Sequence, residues 1–445
     1  MLHPVSAELD AFLEAHPDIR FFDAFVADLD ATEHGRRLDG AAIRTVFESG
    51  MPLPGSILVP EADGRAREPA DPGFDDGDAD RPCRPVPHSL VPVPWLQADG
   101  VAQLQLSMYE TDGRPFFADP RQVLARVLDR FHRLNLTPCL GLGYPFQLVG
   151  REHRPGGLPG SPARTAGGRR TLDKHFSSTI ETTDHAAVLS AIQAACRTQG
   201  VPASAPRPGR GTGQFEVELA SQPDALAVCD QALRFRRLVR QVARAQGLDA
   251  SFAAQPRRPL AGPRLQVHAS LRDAGGDDLF AAGGLAGSAH LRHAIRGLLD
   301  TMVEGMAICV PGPDAYRRAP PGAGPALTAA GSVDGRGAVL HVPADDGGHR
   351  RIEHRLATAD ANPYLAVAWV LAGIHRGLSR GEEPPPALDG HTGRFYGGAP
   401  PPLHWPAALE RFAASSFAAE YLGGPFTRAY EALRRGQHGH STGPD

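Results

Sequence analysis

A chain of 445 residues with 42% hydrophobic and 22% charged residues has a globular composition, which excludes wholesale disorder and a coiled coil and suits a small domain beside a large one. A formal charge of −4, from 46 basic and 50 acidic residues, supplies no general field for nucleic acid or an anionic membrane. Fifty glycines and 42 prolines predict long loops, and Lys174 is the only lysine, so a lysine nucleophile or phosphate anchor has a single candidate.

In chain order, residues 5–16 read as a short helix, followed by strands at IRFFDAFVADLDA (19–31) and SILVPEADG (56–64). Residues 61–85 are rich in Asp, Gly and Pro and read as an exposed loop. Its DDGDAD run lacks the terminal glutamate of a calcium loop. The alternating VAQLQLSMYE (101–110) reads as a strand closing the first unit. Asp119–Pro120 caps a helix through QVLARVLDRFHRL (122–134), where apolar residues recur every three or four positions. Residues 150–171 have no periodicity and read as a loop. Further helices are expected from Asp184 to Gly200, over 223–246 and 288–308, from Asn362–Pro363 onward, and over PAALERFAAS and FTRAYEALRR, with 436–445 as a frayed tail. Met302 and Met306, at helical spacing, read as core.

Cys83, Cys139, Cys196, Cys229 and Cys309 are odd in number, widely spaced and without a CxxC pair, so neither a disulfide framework nor a structural zinc site is indicated. The polar N-terminus lacks the apolar core of a signal peptide, and no window spans a membrane; a cytoplasmic location is expected. GRGTG (209–213) is not followed by Gly-Lys-Ser/Thr and reads as a turn, not a phosphate-binding loop.

Four strands align polar residues at period two, which places them on shared faces. RRIEHR joins Arg351, Glu353 and Arg355; GQFEVEL joins Gln214, Glu216 and Glu218; RLQVHASL joins Gln266, His268 and Ser270; LGLGYPFQL joins Gly141, Gly143, Pro145 and Gln147. His354 falls on the face opposite Glu353. Two guanidinium groups and a carboxylate on one face are costly to bury unless paired or given a ligand. From spacing alone, a solvated outer face also accounts for them.

RRIEHRLATADANPYLAVAWVLAGIHRGL (350–378) closely resembles the signature segment of the glutamine synthetase superfamily, and RIEHR followed by ADANPYLA resembles its glutamate–putrescine (γ-glutamylpolyamine) ligase branch. FESGMPLPGSIL through VPVPW (47–95), SMYETDGRPFFADPRQVL, GQFEVEL, QVHASL, PDAYRRAPPG and HWPAALERFAASSFAAEYLG follow in the family's order. The resemblance implies an α+β fold: a small N-terminal β-grasp domain (1–106), a large catalytic domain (107–435) whose curved antiparallel sheet is flanked by helices, and a flexible tail (436–445). It implies ATP-dependent joining of a glutamate carboxylate to an amine, with ATP and two Mg2+ ions held by carboxylates and one histidine. It also implies self-association as a hexamer or dodecamer. After ALRRGQ the family's longer C-terminal segment is expected to be missing.

Carried over by resemblance, the expected metal ligands are replaced at Gly143, Pro145, Pro208 and Gln266, while Glu216 and Glu353 survive as remnants. The substrate- and anion-binding set is Arg318, Arg336, Arg351, Arg355, His268 and Ser270. His341 stands where the family has an arginine, Gly335 where it has an asparagine, Gly324 where it has the acidic flap residue and Gln255 where it has a lysine; no catalytic residue is assigned. What is lost handles metal and protons, and what is kept binds anions. The resulting expectation is a net-positive cleft in which ATP-dependent ligation is lost or altered, a pseudoenzyme binding a small anionic or glutamate-like metabolite, itself, or an active paralogue, without nucleic acid or membrane. The alternative is an active γ-glutamyl-amine ligase with a metal site rebuilt from His268, Glu216 and Glu353.

Overall fold

The computed structural model describes residues 4–59, 77–151, 179–209, 211–254, 264–281, 287–316, 331–332, 339–343, 350–385, 402 and 404–441. The chain divides into two compact units: Met1–Val123 with Arg197–Gly200 and Leu422–Asp445, and Leu124–Cys196 with Val201–Tyr421.

The first unit carries a six-stranded sheet of β1 (Phe21–Ala27), β2 (Glu33–Asp39), β3 (Met51–Pro54), β4 (Asp80–Pro85), β5 (Val91–Pro92) and β6 (Val101–Met108). Its order is β2-β1-β6-β4-β3, with β5 also on β6. β1 and β6 run parallel at the centre. The helix Gly40–Ser49 is capped by Asp39, which accepts from the amides of Ala41 and Ala42, and buries Ile43, Val46 and Phe47. Over its described residues, 56–59, the SILVPEADG segment is not the expected strand: the ladder runs over Met51–Pro54, and Gly55–Leu58 is a 3-10 turn, while 60–64 lie outside the described residues. Pro52 and Pro54 are tolerated because β3 is an edge strand. The last helix, Gly424–Ser441, continues past the expected tail boundary at 436. Arg434, 3% exposed, anchors it by donating to Asp30 Oδ1 at 2.5 Å.

The second unit is built on an eight-stranded sheet: β7 (Thr137–Gly150), β8 (Arg207–Pro208), β9 (Gln214–Gln222), β10 (Leu248–Ser251), β11 (Gln266–Arg272), β12 (Gly331–Ser332), β13 (Leu340–His341) and β14 (Ile352–His354). The order is β12-β13-β14-β11-β7-β9-β8, with β10 also on β7. Every pair is antiparallel except β12 with β13. One face is apolar. Tyr144 and Phe146 on it pack against Phe235 of the helix Ala225–Ala245 and against Phe252, and Phe215 packs against Phe146, all fully buried.

Asn362 caps the helix Pro363–Arg380 by accepting from the amides of Tyr364 and Leu365, and Gly381 ends it in the left-handed region. The helix Ala289–Thr301 crosses it closely. A Cβ on Gly297 would lie 2.1 Å from the Gly373 carbonyl oxygen, and one on Gly377 2.0 Å from that of His293, so glycine is required at both crossings. The expected helix 288–308 is interrupted: it ends at Thr301 and resumes at Met306–Cys309. Asp184 closes a preceding helical turn instead of capping the helix Ala186–Thr198. Among the described residues no helix is long and apolar enough to cross a membrane.

Candidate functional site

The other face of the eight-stranded sheet collects the polar residues. Register puts Gly143 opposite both Gln266 and Glu218, Pro145 opposite Glu216, Gly141 opposite His268, and Glu353 opposite both His268 and His341. Directly opposed residues of an antiparallel ladder share a face, so these side chains line one surface. Pro145 is tolerated in a central strand for a specific reason. Leu148 donates its amide toward β9, so by alternation the position-145 amide would face away from β9. There β7 lies between the end of its β11 ladder at Gly143 and the start of its β10 ladder at Gln147. A missing donor in that gap breaks no ladder bond.

Glu353 is the hub, 5% exposed. Arg351 donates from Nε and Nη2 to Oε1 at 3.2 and 3.0 Å. Arg355 Nη2 donates to Oε2 at 2.5 Å, and His341 Nδ1 lies 3.0 Å from the same oxygen. Burial works to raise the carboxyl, but the hydrogen bond from His341, the charge of His268 and the Arg355 guanidinium outweigh it and hold the group well below the usual carboxylate range. His268 is 8% exposed, its Nε2 has no hydrogen-bond partner among the described residues and stands 4.0 Å from Glu353 Oε1. Burial pushes this imidazole down, and the charge of Glu353 pulls the other way.

At the other end, Gln266 Nε2 donates to Glu216 Oε1 at 3.0 Å. Arg207 pairs with Glu218 and stands 3.8 Å from Glu216. Burial raises the Glu216 carboxyl, Arg207 opposes that rise, and Glu218 adds to it.

These donors do not fit the family's pair of divalent cations. Both oxygens of Glu353 already accept from charged or ring nitrogens, and at an effective dielectric of about 20 a divalent ion 4 Å from a guanidinium is repelled by about 8 kcal/mol. A Cβ on Gly143 would lie 3.1 Å from Gln266 Cβ and 3.4 Å from both Gln266 Cδ and Glu216 Oε1, so the space for a longer side chain is filled by the amide of Gln266. Pro145 offers no donor. Among the described residues no group of three or more His, Cys, Asp or Glu could hold a metal ion.

Of the residues expected at the site, the structure brings Glu216, Gln266, His268, Glu353, Arg351 and Arg355 together around Gly143 and Pro145. Ser270 stands farther along β11, opposite Cys139. Pro208 is not on this face, since it pairs with Phe215, which packs on the apolar side; its neighbour Arg207 is the residue opposite Glu216. His354 is on the apolar side and 1% exposed. Arg318, Gly324, Arg336, Gly335, Gln255 and Lys174 lie outside the described residues. In the described part of the cleft Arg207, Arg351 and Arg355 are matched by Glu216, Glu218 and Glu353, while Arg318 and Arg336, on which the expected positive surplus also rests, lie outside the described residues. Arg207 carries no motif and was not anticipated.

A curved antiparallel sheet carrying this row of Glu, His and Arg is the scaffold of a carboxylate–amine ligase, and the chain belongs to the glutamine synthetase family, whose catalytic domain matches residues 117–440. It is similar to the gamma-glutamylputrescine synthetase of Escherichia coli strain K12, with 30% identity over 96% of this chain and 90% of that one. It is also 28% identical to the gamma-glutamylethanolamide synthetase of Streptomyces coelicolor, over 86% of this chain and 80% of the other. Among solved structures, GmaS without ligand superposes with a TM-score of 0.82 at 24% identity, covering 100% of this chain and 98% of that one, which shows the glutamine synthetase-like fold.

Proposed function

We propose that this chain is a member of the family that has lost two-cation phosphoryl transfer and works by binding a small anionic, glutamate-like molecule and by self-association or association with an active paralogue. The observation that carries this reading is the state of Glu353: this carboxylate, one of the two that survive from the metal ring, is bonded on both oxygens within the protein. Phosphoryl transfer spreads charge over several oxygens, and without positioned cations it loses several kcal/mol of transition-state stabilisation. No substitute donor stands in β7, where Gly143 and Pro145 occupy the positions facing Glu218 and Glu216.

The decisive assay uses purified protein with ATP, Mg2+ or Mn2+, glutamate, and putrescine, ethanolamine or ammonia, reading phosphate release and the γ-glutamyl product by mass spectrometry. No amine-dependent product is expected. Turnover with any of these amines overturns the proposal. It would favour the second reading, a ligase with a rebuilt site, which the unpartnered Nε2 of His268 supports.

A further inference from the structure

Three acidic residues crowd the turn between β1 and β2: Asp28, Asp30 and Glu33. Asp28 is 2% exposed. Its Oδ1 accepts from the amides of Asp30 and Thr32, each at 2.8 Å, and its Oδ2 accepts from His34 Nε2 at 2.8 Å. This carboxylate holds a turn that the backbone alone disfavours, because Ala31 has a φ of 55°, a left-handed conformation costly for a residue with a Cβ. The turn presents Asp30 to the last helix, Gly424–Ser441, where Arg434 Nη1 donates to Oδ1 at 2.5 Å and Gln437 Nε2 to Oδ2 at 3.0 Å. All of these residues belong to the first unit.

The charges here balance only with an added proton. Asp30 faces a permanent cation, Arg434, whose guanidinium centre lies 4.7 Å from the centroid of the Tyr430 ring. The cation beside Asp28 is His34, and it is a cation only when protonated. The charged groups acting on His34 are Asp28 and Glu33, those acting on Asp28 are His34 and Asp30, and across the same ladder Asp23 pairs with Arg37. The hydrogen bond to Asp28 raises His34 above its ordinary value, burial opposes the rise, and the charges of Asp28 and Glu33 add to it. Burial raises the Asp28 carboxyl, and the hydrogen bond from His34 opposes that.

We propose that His34 is a pH-sensitive latch for the last helix: its protonation locks the Asp28-held turn that keeps Asp30 against Arg434 and Gln437. When the helix leaves Asp30, the turn loses the bonds that aim it, and His34 loses a fixed carboxylate partner. The undocked state then holds the His34 proton less tightly than the docked one, and linkage makes the converse true, so the proton strengthens docking. Because the docked value is the raised one, this contribution is full below about 6.5 and is lost as pH rises through the raised value. His34 is not among the cleft residues, so the latch and the reading of the cleft fail separately.

Hydrogen exchange of the full chain tests the latch, read by mass spectrometry of peptides covering 424–437 and corrected for the intrinsic pH dependence of amide exchange. The comparison is between wild type, His34→Gln, which keeps a donor that does not titrate, and Asp30→Asn, with far-UV circular dichroism confirming that each is folded. In wild type, protection of 424–437 is expected to fall by about threefold or more between pH 6 and pH 8.5, while peptides from the helix Pro363–Arg380 keep theirs. His34→Gln is expected to give the same protection at both pH values. Asp30→Asn is expected to lower protection at both and to abolish the slope. A flat wild-type response, a slope that survives in either variant, or an equal loss of protection in Pro363–Arg380 overturns the proposal. Should His34→Gln fail to fold, His34→Arg takes its place: a permanent cation is expected to keep 424–437 protected at both pH values, and a wild-type slope in that variant overturns the latch.

Discussion

The two faces of the eight-stranded sheet solve different problems with the same strands. On one, Tyr144 and Phe146 interlock with Phe235 and Phe252, Phe215 packs on Phe146, and stability comes from removing large apolar surfaces from water. On the other, Glu216, Glu218 and Glu353 are matched by Arg207, Arg351 and Arg355, and the gain from attraction is offset by the cost of removing these ions from water. The contrast places most of the sheet's stability on the apolar face and little of it on the paired charges of the polar face.

The sharpest way to break that contrast is Phe146→Ala, which removes a fully buried ring; a loss of about 4 kcal/mol is expected in urea unfolding followed by fluorescence. A smaller but distinctive effect comes from acid. His354, buried on the apolar side, is pushed down to about 4 by burial. Its folded value is below the unfolded one, so its contribution is full above about 6.5 and is lost as pH falls toward 4, a difference of about 3 kcal/mol. His354→Leu should flatten this acid limb in a series of unfolding curves between pH 7 and 4; an unchanged limb would assign the acid sensitivity elsewhere. On the polar face, Glu353→Gln removes the charge from the bonds with Arg351 and Arg355 and should cost about 2 kcal/mol in the same unfolding assay. Smallest of all, Arg207→Ala should shift stability by no more than about 0.5 kcal/mol, because its side chain is 60% exposed and solvent screens its pairs. A larger loss there would mean that the outer pairs contribute to the fold as the aromatic cluster does.

Period-two spacing made much of the polar face legible. Residues 214–218, 266–270 and 351–355 present Glu216, His268 and Glu353 to one surface because a strand can only alternate. The Asn362–Pro363 cap was equally plain, since an Asx side chain before proline satisfies the first free amides of a helix. Pairings across the sheet were not legible. Arg207 reaches Glu218 through a tight hairpin whose register has no composition signal, and the engagement of Arg351 and Arg355 by Glu353 depends on side-chain reach at the two ends of a three-residue strand. The same limit explains Pro208: counted along the chain it falls near the site, but the ladder with Phe215 turns it to the other face. The break at Thr301 in the expected 288–308 helix was hidden for a related reason, because apolar periodicity continues across it through Met302 and Met306, both buried.

The central claim is that the cleft neutralises its carboxylates with guanidinium groups and takes no divalent cations. Electron paramagnetic resonance of Mn2+ titrated into wild-type protein, with and without ATP, tests it most directly. The predicted result is that the free-Mn2+ signal in the presence of protein matches that of buffer, or of ATP alone, at the same concentrations. Two Mn2+ ions withdrawn per chain in an ATP-dependent step would contradict it.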